Sequence, residues 1–444
     1  MAKFSAAYHF PKGFLWGTAT SSHQVEGGNT LNNWHQWEQT PGKIVQGQTS
    51  GLACDWWGGR WKEDFDRAQE TGQNAHRLSI EWSRIQPAAD RWDDDALDHY
   101  RQIIRGLIER NMTPFVTLHH FTDPIWLTEM GGWLNLQTPF LFEKYVRRVA
   151  EALKEYVTLW VTINEPNVYT FVGYLFGDFP PGHHSLPEAW QVAINMTTGH
   201  ALAYHAIHEI QKEARVGYAI NFRGFKPAVN WSPFDRATAG ILDQAFNRSF
   251  MDAAFDGNLK MLTYRQHIPQ AKRTQDFIGV NYYSRDYVAF QPLQPSKMFM
   301  RLFYRPEDEL SGTGYIANTP ENFYEIMKSV LKYKLPLIIS ENGVEDQDDK
   351  MRPRYTLQHI HQVWRGVNFN WMIKGYFHWS LVDNFEWERG WTQRFGLWGL
   401  NEKTQKRIRR KSVDLYADIC KENGITTEIV EKYTPELMSK IFPA

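Results

Sequence analysis

The strongest constraint on the fold is an alternation that runs along the whole chain. Eight short runs rich in apolar and β-branched residues each end in polar or aromatic residues, and longer segments with helical spacing separate them. The runs predicted as strands are residues 14–19, 75–80, 114–118, 160–163, 216–220, 277–280, 337–339 and 375–379. Strands that alternate with amphipathic helices indicate a parallel sheet, and eight such units favour a closed (β/α)8 barrel.

The segments between the strands carry the helical signal. In residues 97–108, Ile103, Ile104 and Leu107 recur on one face. A second helix is predicted over residues 139–156, with proline in its first turn. A doubly wound open sheet is the alternative, but it requires a GxGxxG fingerprint that the first strand–helix turn, GTATSSHQVEGG, lacks.

The length of 444 residues fits one domain, because an α/β barrel with insertions can exceed about 400 residues. No Ser/Gly-rich linker divides the chain, so we predict a single catalytic barrel over residues 1–444 with long strand-end loops. The irregular segment 291–319 is predicted to be such a loop, lying over the barrel mouth.

Charge and cysteine content argue against several classes of partner. Lys+Arg number 49 and Asp+Glu number 50, which gives no reason to expect nucleic acid binding. The basic run 406–411 is therefore predicted to be a solvated turn before a last helix at 412–422. No apolar run approaches the roughly 20 residues of a membrane span. Cys54 and Cys420 form no CxxC pair, which favours a reduced, cytoplasmic setting.

Neither a metal nor a cofactor is expected. The histidine pairs His119-His120 and His183-His184 match no common zinc spacing.

Hydrogen-bonding and aromatic side chains follow nearly every predicted strand, where an α/β barrel carries its chemistry. They are Gln24, Glu26, Arg77, His119, His120, Asn164, Glu165, Asn221, Asn281, Tyr282, Tyr283, Glu341, Asn342, Trp379, Asp383, Glu386 and Trp387. The chain also holds 19 tryptophans, most of them expected to pack in the core. A ring of donors, acceptors and indoles suits a polyhydroxylated ligand, whose hydroxyls need partners and whose C–H faces stack on aromatic rings.

Two of these carboxylates stand out. Glu165 follows the strand WVTIN and precedes a proline, and Glu341 follows LPLIIS. Taken singly, Glu165 could be a first-turn residue favoured by a helix dipole and Glu341 a turn residue. Strands four and seven lie nearly opposite in an eight-stranded ring, so the two can face each other across a ligand. Facing carboxylates in a sugar-shaped pocket indicate glycoside hydrolysis, with retention or inversion set by their separation.

Eight motifs in this order resemble the family 1 glycoside hydrolases of the β-glucosidase type. They span residues 14–397 and read FLWGTATSSHQVEG, HRLSIEWSRIQP, TLHHFTDPIWL, VTINEPNVY, GYLFGDFPPG, DFIGVNYYS, IISENG and WSLVDNFEWERGWTQRFGL. The resemblance implies a retaining exo-β-glycosidase with Glu165 as acid/base and Glu341 as nucleophile.

The resemblance also implies roles for the surrounding residues. Arg77 and Tyr283 would hold and ionise the nucleophile, and Asn164 would bind the sugar's 2-hydroxyl. The residues implied to grip the remaining hydroxyls or line the same subsite are Gln24, His120, Asn281, Trp379, Glu386 and Trp387. At the entrance to the leaving-group subsite, where the family commonly has tryptophan, the chain places Ile316.

Neighbouring activities are distinguished by single positions. Glu386 would repel a 6-phosphate, which favours plain glycosides, and Glu165 is not the glutamine found in myrosinases. The expected substrates are β-glucosides and short cello-oligosaccharides. The sequence leaves three alternative functions: a β-galactosidase or β-fucosidase, a transglycosylase, and a non-catalytic carbohydrate-binding barrel. It also leaves the oligomeric state undetermined.

Overall fold

A computed structural model describes residues 5–294 and 298–443 and contains a closed barrel of eight parallel strands. Each strand pairs with the next along the chain, and the eighth returns to the first. The strands are β1 (Leu15–Ala19), β2 (Ala75–Ser79), β3 (Thr113–Thr117), β4 (Leu159–Asn164), β5 (Arg215–Pro227), β6 (Ile278–Phe290), β7 (Leu337–Asn342) and β8 (Ile373–Trp379). The predicted (β/α)8 barrel is confirmed, and all eight predicted strands lie within or beside these bounds.

One principal helix follows each strand, and most successive helices pack on each other, as α3 does on α4. They are α1 (Trp61–Glu70), α2 (Asp94–Ile108), α3 (Thr138–Leu153), α4 (Leu186–Ile210), α5 (Ser249–Asp256), α6 (Pro320–Val330), α7 (Arg352–Asn368) and α8 (Lys411–Glu422). Further helices are Ser22–Val25, Asn33–Glu38, Trp82–Ile85, Ile125–Glu129, Pro166–Thr170, Pro233–Leu242, Thr427–Tyr433 and Met438–Ile441. Within the described ranges, every helix is too short or too polar to cross a bilayer.

The sequence explains this architecture locally. Every residue of β2, β4 and β7 is buried, as expected for strands covered on both faces. Helix α2 starts where the Asp93 side chain accepts a hydrogen bond from the Ala96 amide, which satisfies one of the free N–H groups of the first turn.

Aromatic side chains fill the barrel interior directly below the mouth. The ring of Phe115 contacts those of Phe277 and Phe377, with centroids 5.7 and 5.3 Å apart. The guanidinium group of Arg77 lies 5.7 Å above the Phe115 ring. This apolar floor separates the charged groups above it from the far end of the barrel.

Two strands run past the barrel on the mouth side. β5 and β6 stay paired as far as Pro227 and Val288, well beyond their predicted ends. The strand Met300–Phe303 then turns back antiparallel on β6. The segment predicted as a long loop, 291–319, thus contains a strand, and its residues Met300, Leu302 and Ile316 border the cavity at the barrel mouth. Residues 295–297 of this segment lie outside the described residues.

The basic run 406–411 is not a turn, and it is solvated only in part, with Lys406, Ile408, Arg409 and Lys411 exposed. Lys406–Arg409 forms a strand antiparallel to Trp398–Asn401. Arg407 is buried with Nη2 2.7 Å from a carboxylate oxygen of Asp64. Arg410 donates two hydrogen bonds to Asp383, at 2.7 and 2.9 Å. The prediction of solvation was wrong for Arg407 and Arg410 because their acidic partners come from other segments of the chain, which the local run of charge does not reveal.

Candidate active site

A cavity of about 320 Å³ opens at the carboxyl ends of the barrel strands. Eight of the predicted site residues line it together: His120, Asn164, Glu165, Tyr283, Glu341, Trp379, Glu386 and Trp387. Gln24, Arg77 and Asn281 are fully buried, and their side chains donate to residues that line the cavity. All eleven residues therefore belong to one connected site.

Glu165 is placed by an unusual backbone. β4 ends at Asn164, Glu165 adopts φ 45° and ψ 56°, and Pro166 opens the next helix. The left-handed conformation costs a non-glycine residue roughly 1–2 kcal/mol, and the Glu165 amide offsets part of this by donating to the Ala219 carbonyl at 2.6 Å. Phe121 and Trp387, which also line the cavity, have positive φ as well. Three residues of the cavity lining therefore hold a backbone conformation that side chains other than glycine rarely adopt.

The Glu165 carboxyl has two neutral partners on one oxygen. Oε1 accepts from Asn281 Nδ2 at 2.7 Å and from Asn221 Nδ2 at 3.0 Å. Within 5–294 and 298–443, no group donates to Oε2. Because both donors occupy Oε1, the proton of the neutral acid is placed on Oε2.

Glu341, near the end of β7, has a cation and a phenol as partners. Arg77 Nη1 donates to Oε1 at 2.5 Å, and the Tyr283 hydroxyl donates to Oε2 at 2.6 Å. Both oxygens are engaged, and one bond is charge-assisted.

The two carboxyl groups are linked through buried side chains. Arg77 Nη2 donates to Asn164 Oδ1 at 2.7 Å, and Asn281 Nδ2 donates to the same oxygen at 3.1 Å. A hydrogen-bonded path therefore runs from Glu341 through Arg77, Asn164 and Asn281 to Glu165. The contributing strands are β2, β4, β6 and β7.

These partners separate the two ionisations. Burial raises the pKa of Glu165 to about 8, and the nearby charge of Glu341 adds to the effect. Burial also raises the pKa of Glu341, but Arg77 and Tyr283 oppose that rise. Glu341 is consequently the carboxyl that ionises first, while Glu165 keeps its proton through neutral pH.

The rest of the cavity base presents rings and hydrogen-bonding groups. The His120 ring is stacked near those of Trp379 and Trp387, with centroids 5.9 and 6.0 Å away. Its Nε2 accepts from Asn164 Nδ2 at 3.1 Å, which leaves the hydrogen on Nδ1, an atom without a partner among the described residues. Burial, with the charge of Arg77, lowers the pKa of His120 and keeps it neutral.

Glu386 adds a third carboxyl group to the cavity, beside Glu165 and Glu341. It accepts from Gln24 Nε2 at 3.2 Å. Burial and the charges of Glu388 and Glu341 raise its pKa well above the ordinary value. An acid next to an amide offers both donors and acceptors to a hydroxylated ligand.

Comparison with known proteins agrees with this geometry. The family model described as glycosyl hydrolase family 1 matches residues 6–425. The chain belongs to this family. Among curated relatives, the 1,4-beta-D-glucan glucohydrolase of Thermotoga neapolitana is 35% identical over 94% of this chain and 99% of that protein. The beta-galactosidase of Pyrococcus woesei is 31% identical over 95% of this chain and 99% of its own length.

Solved structures of two glycosidases superpose on nearly the whole chain. The beta-glycosidase from Pyrococcus horikoshii gives a TM-score of 0.89 at 36% identity and covers 96% of this chain and 98% of its own. The family 1 β-glucosidase from Thermotoga maritima gives a TM-score of 0.89 at 34% identity and covers 94% of this chain and 99% of its own.

Two parts of this family 1 site are not predicted by the sequence. Asn221 was recognised as a strand-end residue but given no role, although its position after β5 already indicated the mouth. The phenylalanines of the outer cavity were not found at all. Ile316, expected at the entrance, does line the cavity.

Proposed function

We propose that the protein is a retaining exo-β-glycosidase of the β-glucosidase type, which removes terminal β-D-glucosyl residues from glycosides and short cello-oligosaccharides. The observation that carries the proposal is the asymmetry of the paired glutamates, one stabilised as an anion and the other held neutral. The relatives named β-glucosidase and 1,4-beta-D-glucan glucohydrolase support the same reaction.

In the first step Glu341 attacks the anomeric carbon, and the bond to the leaving oxygen breaks. The proton on Glu165 Oε2 passes to that oxygen, so the aglycone departs as a neutral alcohol. Arg77 and Tyr283 keep Glu341 ionised until it reacts. Asn164 is suited to bind the sugar next to the reacting carbon, because its amide lies between both glutamates.

In the second step water replaces Glu341. Once Glu341 is an ester, its charge no longer raises the pKa of Glu165, so Glu165 becomes acidic enough to lose its proton. As a carboxylate it takes a proton from water, and the hydroxide attacks the anomeric carbon. Two displacements on opposite faces give a product with the same anomeric configuration as the substrate.

The test is the anomer formed first, followed by proton NMR during hydrolysis of a p-nitrophenyl β-D-glucoside. We expect β-glucose to appear before it mutarotates. Initial appearance of α-glucose would overturn the retaining mechanism. No turnover of the p-nitrophenyl β-glucoside, β-galactoside or β-fucoside would favour a carbohydrate-binding barrel.

A β-galactosidase is the second candidate, because relatives with that name are about equally complete matches. Initial rates on p-nitrophenyl β-glucoside, β-galactoside and β-fucoside decide between the epimers. Product analysis at high substrate concentration separates hydrolysis from transglycosylation. A cytoplasmic location and one catalytic domain over residues 1–444 stay predictions.

A further inference from the structure

The outer part of the cavity differs in chemistry from its base. Segments that follow β4, β5 and β6 cover one side of it with apolar side chains and leave the polar groups at the bottom. We call this side the apolar wall; it consists of Val168, Phe171, Val172, Phe176, Phe225, Leu242, Phe246, Met300 and Leu302.

Four rings make the wall continuous. The centroids of Phe176 and Phe171 are 6.1 Å apart, those of Phe171 and Phe246 5.3 Å, and those of Phe246 and Phe225 5.9 Å. Phe171 is only 1% exposed, whereas Phe176 and Leu302 are 41% and 43% exposed. The wall therefore leads from the buried interior to the rim, along the side of the cavity that carries Glu165.

Two polar residues on this side, Arg223 and Asn221, already have partners. Arg223 is paired with Asp286 and also donates to the Tyr304 hydroxyl at 2.9 Å, and Asn221 donates to Glu165. Ile316 adds a further aliphatic surface. A sugar seated against such a surface would bury hydroxyls without partners, which is unfavourable, whereas an apolar group would lose only its contact with water.

The polar rim on the other side is open to solvent. Asp178 is exposed, and Arg389, whose side chain is 44% exposed, is paired with Glu388 at 3.0 Å. These residues also border a second hollow that adjoins the cavity. Unlike the residues at the cavity base, they offer a sugar hydroxyl no buried hydrogen-bond donor.

We propose that the leaving-group side of the cavity selects an apolar alcohol, alkyl or aryl, over a second sugar. This inference rests on the proposed function and names its preferred substrates: β-glucosides of hydrophobic alcohols. Each methylene group buried against the wall should raise kcat/KM about fourfold, so three would raise it about 60-fold.

The experiment compares kcat/KM for methyl, n-butyl and n-octyl β-D-glucoside and for cellobiose, with the octyl glucoside below its micelle concentration. The three alcohols are leaving groups of similar basicity, so differences among them report binding to the wall. We expect a rise of at least tenfold from methyl to octyl, and octyl glucoside to exceed cellobiose. Equal values along the series, or cellobiose as the best substrate, would overturn the inference while leaving the proposed function intact. Failure to hydrolyse any of them and p-nitrophenyl β-glucoside would instead refute the function.

Two variants of the apolar wall test whether it causes the rise of kcat/KM with alkyl chain length. Val172→Asn adds a polar group to the wall and Phe246→Ala removes a ring, so each should lower the octyl-to-methyl ratio severalfold, mainly through KM. Val367→Asn on α7 is the matched control, a half-buried valine that is not part of the cavity lining. An unchanged ratio in both folded wall variants, or an equal fall in the control, would count against the wall. If the wall variants do not fold, the alkyl series on the unmodified protein still decides.

Discussion

The two glutamates of the site share one cavity but have opposite surroundings. Glu341 receives a guanidinium group and a phenol on separate oxygens, so its anion is stabilised. Glu165 receives two neutral amides on a single oxygen and has no cation as a direct partner among the described residues. The difference teaches that burial alone does not assign catalytic roles. Both groups are equally buried, and it is the partners that divide them into nucleophile and proton carrier.

Removing Glu341 should have the largest effect. Glu341→Gly and the isosteric Glu341→Gln should each lower kcat by about 10⁵-fold or more, because no covalent intermediate can form. Added azide should enter the vacated face of Glu341→Gly and give the α-glucosyl azide from dinitrophenyl β-glucoside. Product NMR checks the configuration. Turnover of both variants at the rate of the unmodified protein would refute the assignment of Glu341 as nucleophile.

Removing Glu165 should cost less and give the opposite product. Glu165→Ala should lower kcat/KM for alkyl glucosides by about 10²–10⁴-fold, the usual contribution of a general acid. A dinitrophenyl glucoside, whose leaving group needs no proton, should be affected far less in its first step. Azide should now yield the β-glucosyl azide. The same anomer from both glutamate variants would contradict the division of roles.

The cation beside Glu341 can be removed separately. Arg77→Met should raise the pKa of Glu341, because the charge that opposes its burial is lost. The acidic limb of the kcat/KM profile, which follows ionisation of Glu341, should move to higher pH, and activity at pH 7 should fall about 10²-fold. Arg77→Lys keeps a charge and is the control. An unmoved acidic limb in the methionine variant would show that Arg77 does not set this ionisation.

The smallest expected effect is a shift of the pKa of Glu165 when one of its hydrogen-bond donors is removed. In the unmodified protein the alkaline limb of kcat/KM should lie near pH 8, where Glu165 loses its proton. Asn221→Leu removes a donor that favours the carboxylate, so the pKa of Glu165 rises and the limb moves to higher pH. Rates for alkyl glucosides should change only severalfold. Asn221→Gln retains a donor, and an equal shift in both variants would point to packing instead of the hydrogen bond.

The barrel and the identity of the paired glutamates could be predicted from the sequence because both depend on local patterns. Buried parallel strands are short apolar runs, and the residue after each run lies at the mouth. That reasoning placed Glu165 and Glu341 in one cavity although 176 positions separate them. The asymmetry between them was available only through the resemblance to a family, since partners such as Arg77 and Asn281 come from other strands.

Features that depend on distant pairing were not predictable in this way. Arg407 appeared solvated because its partner, Asp64, lies in another part of the chain. The apolar wall escaped notice because its side chains come from segments between residues 168 and 302 that show no common motif. The left-handed backbone of Glu165 is likewise a tertiary effect, since local preference disfavours it.

The path of buried side chains between the two glutamates has a consequence for how the protein folds. Its members sit on four strands, from the second to the seventh, and a shift of one residue in any of them would turn the side chain away from its partner. A half-formed barrel therefore holds no working site. Recovery of activity during refolding should lag behind the recovery of helical content and coincide with closure of the ring, which makes catalysis itself the most stringent reporter of the finished fold.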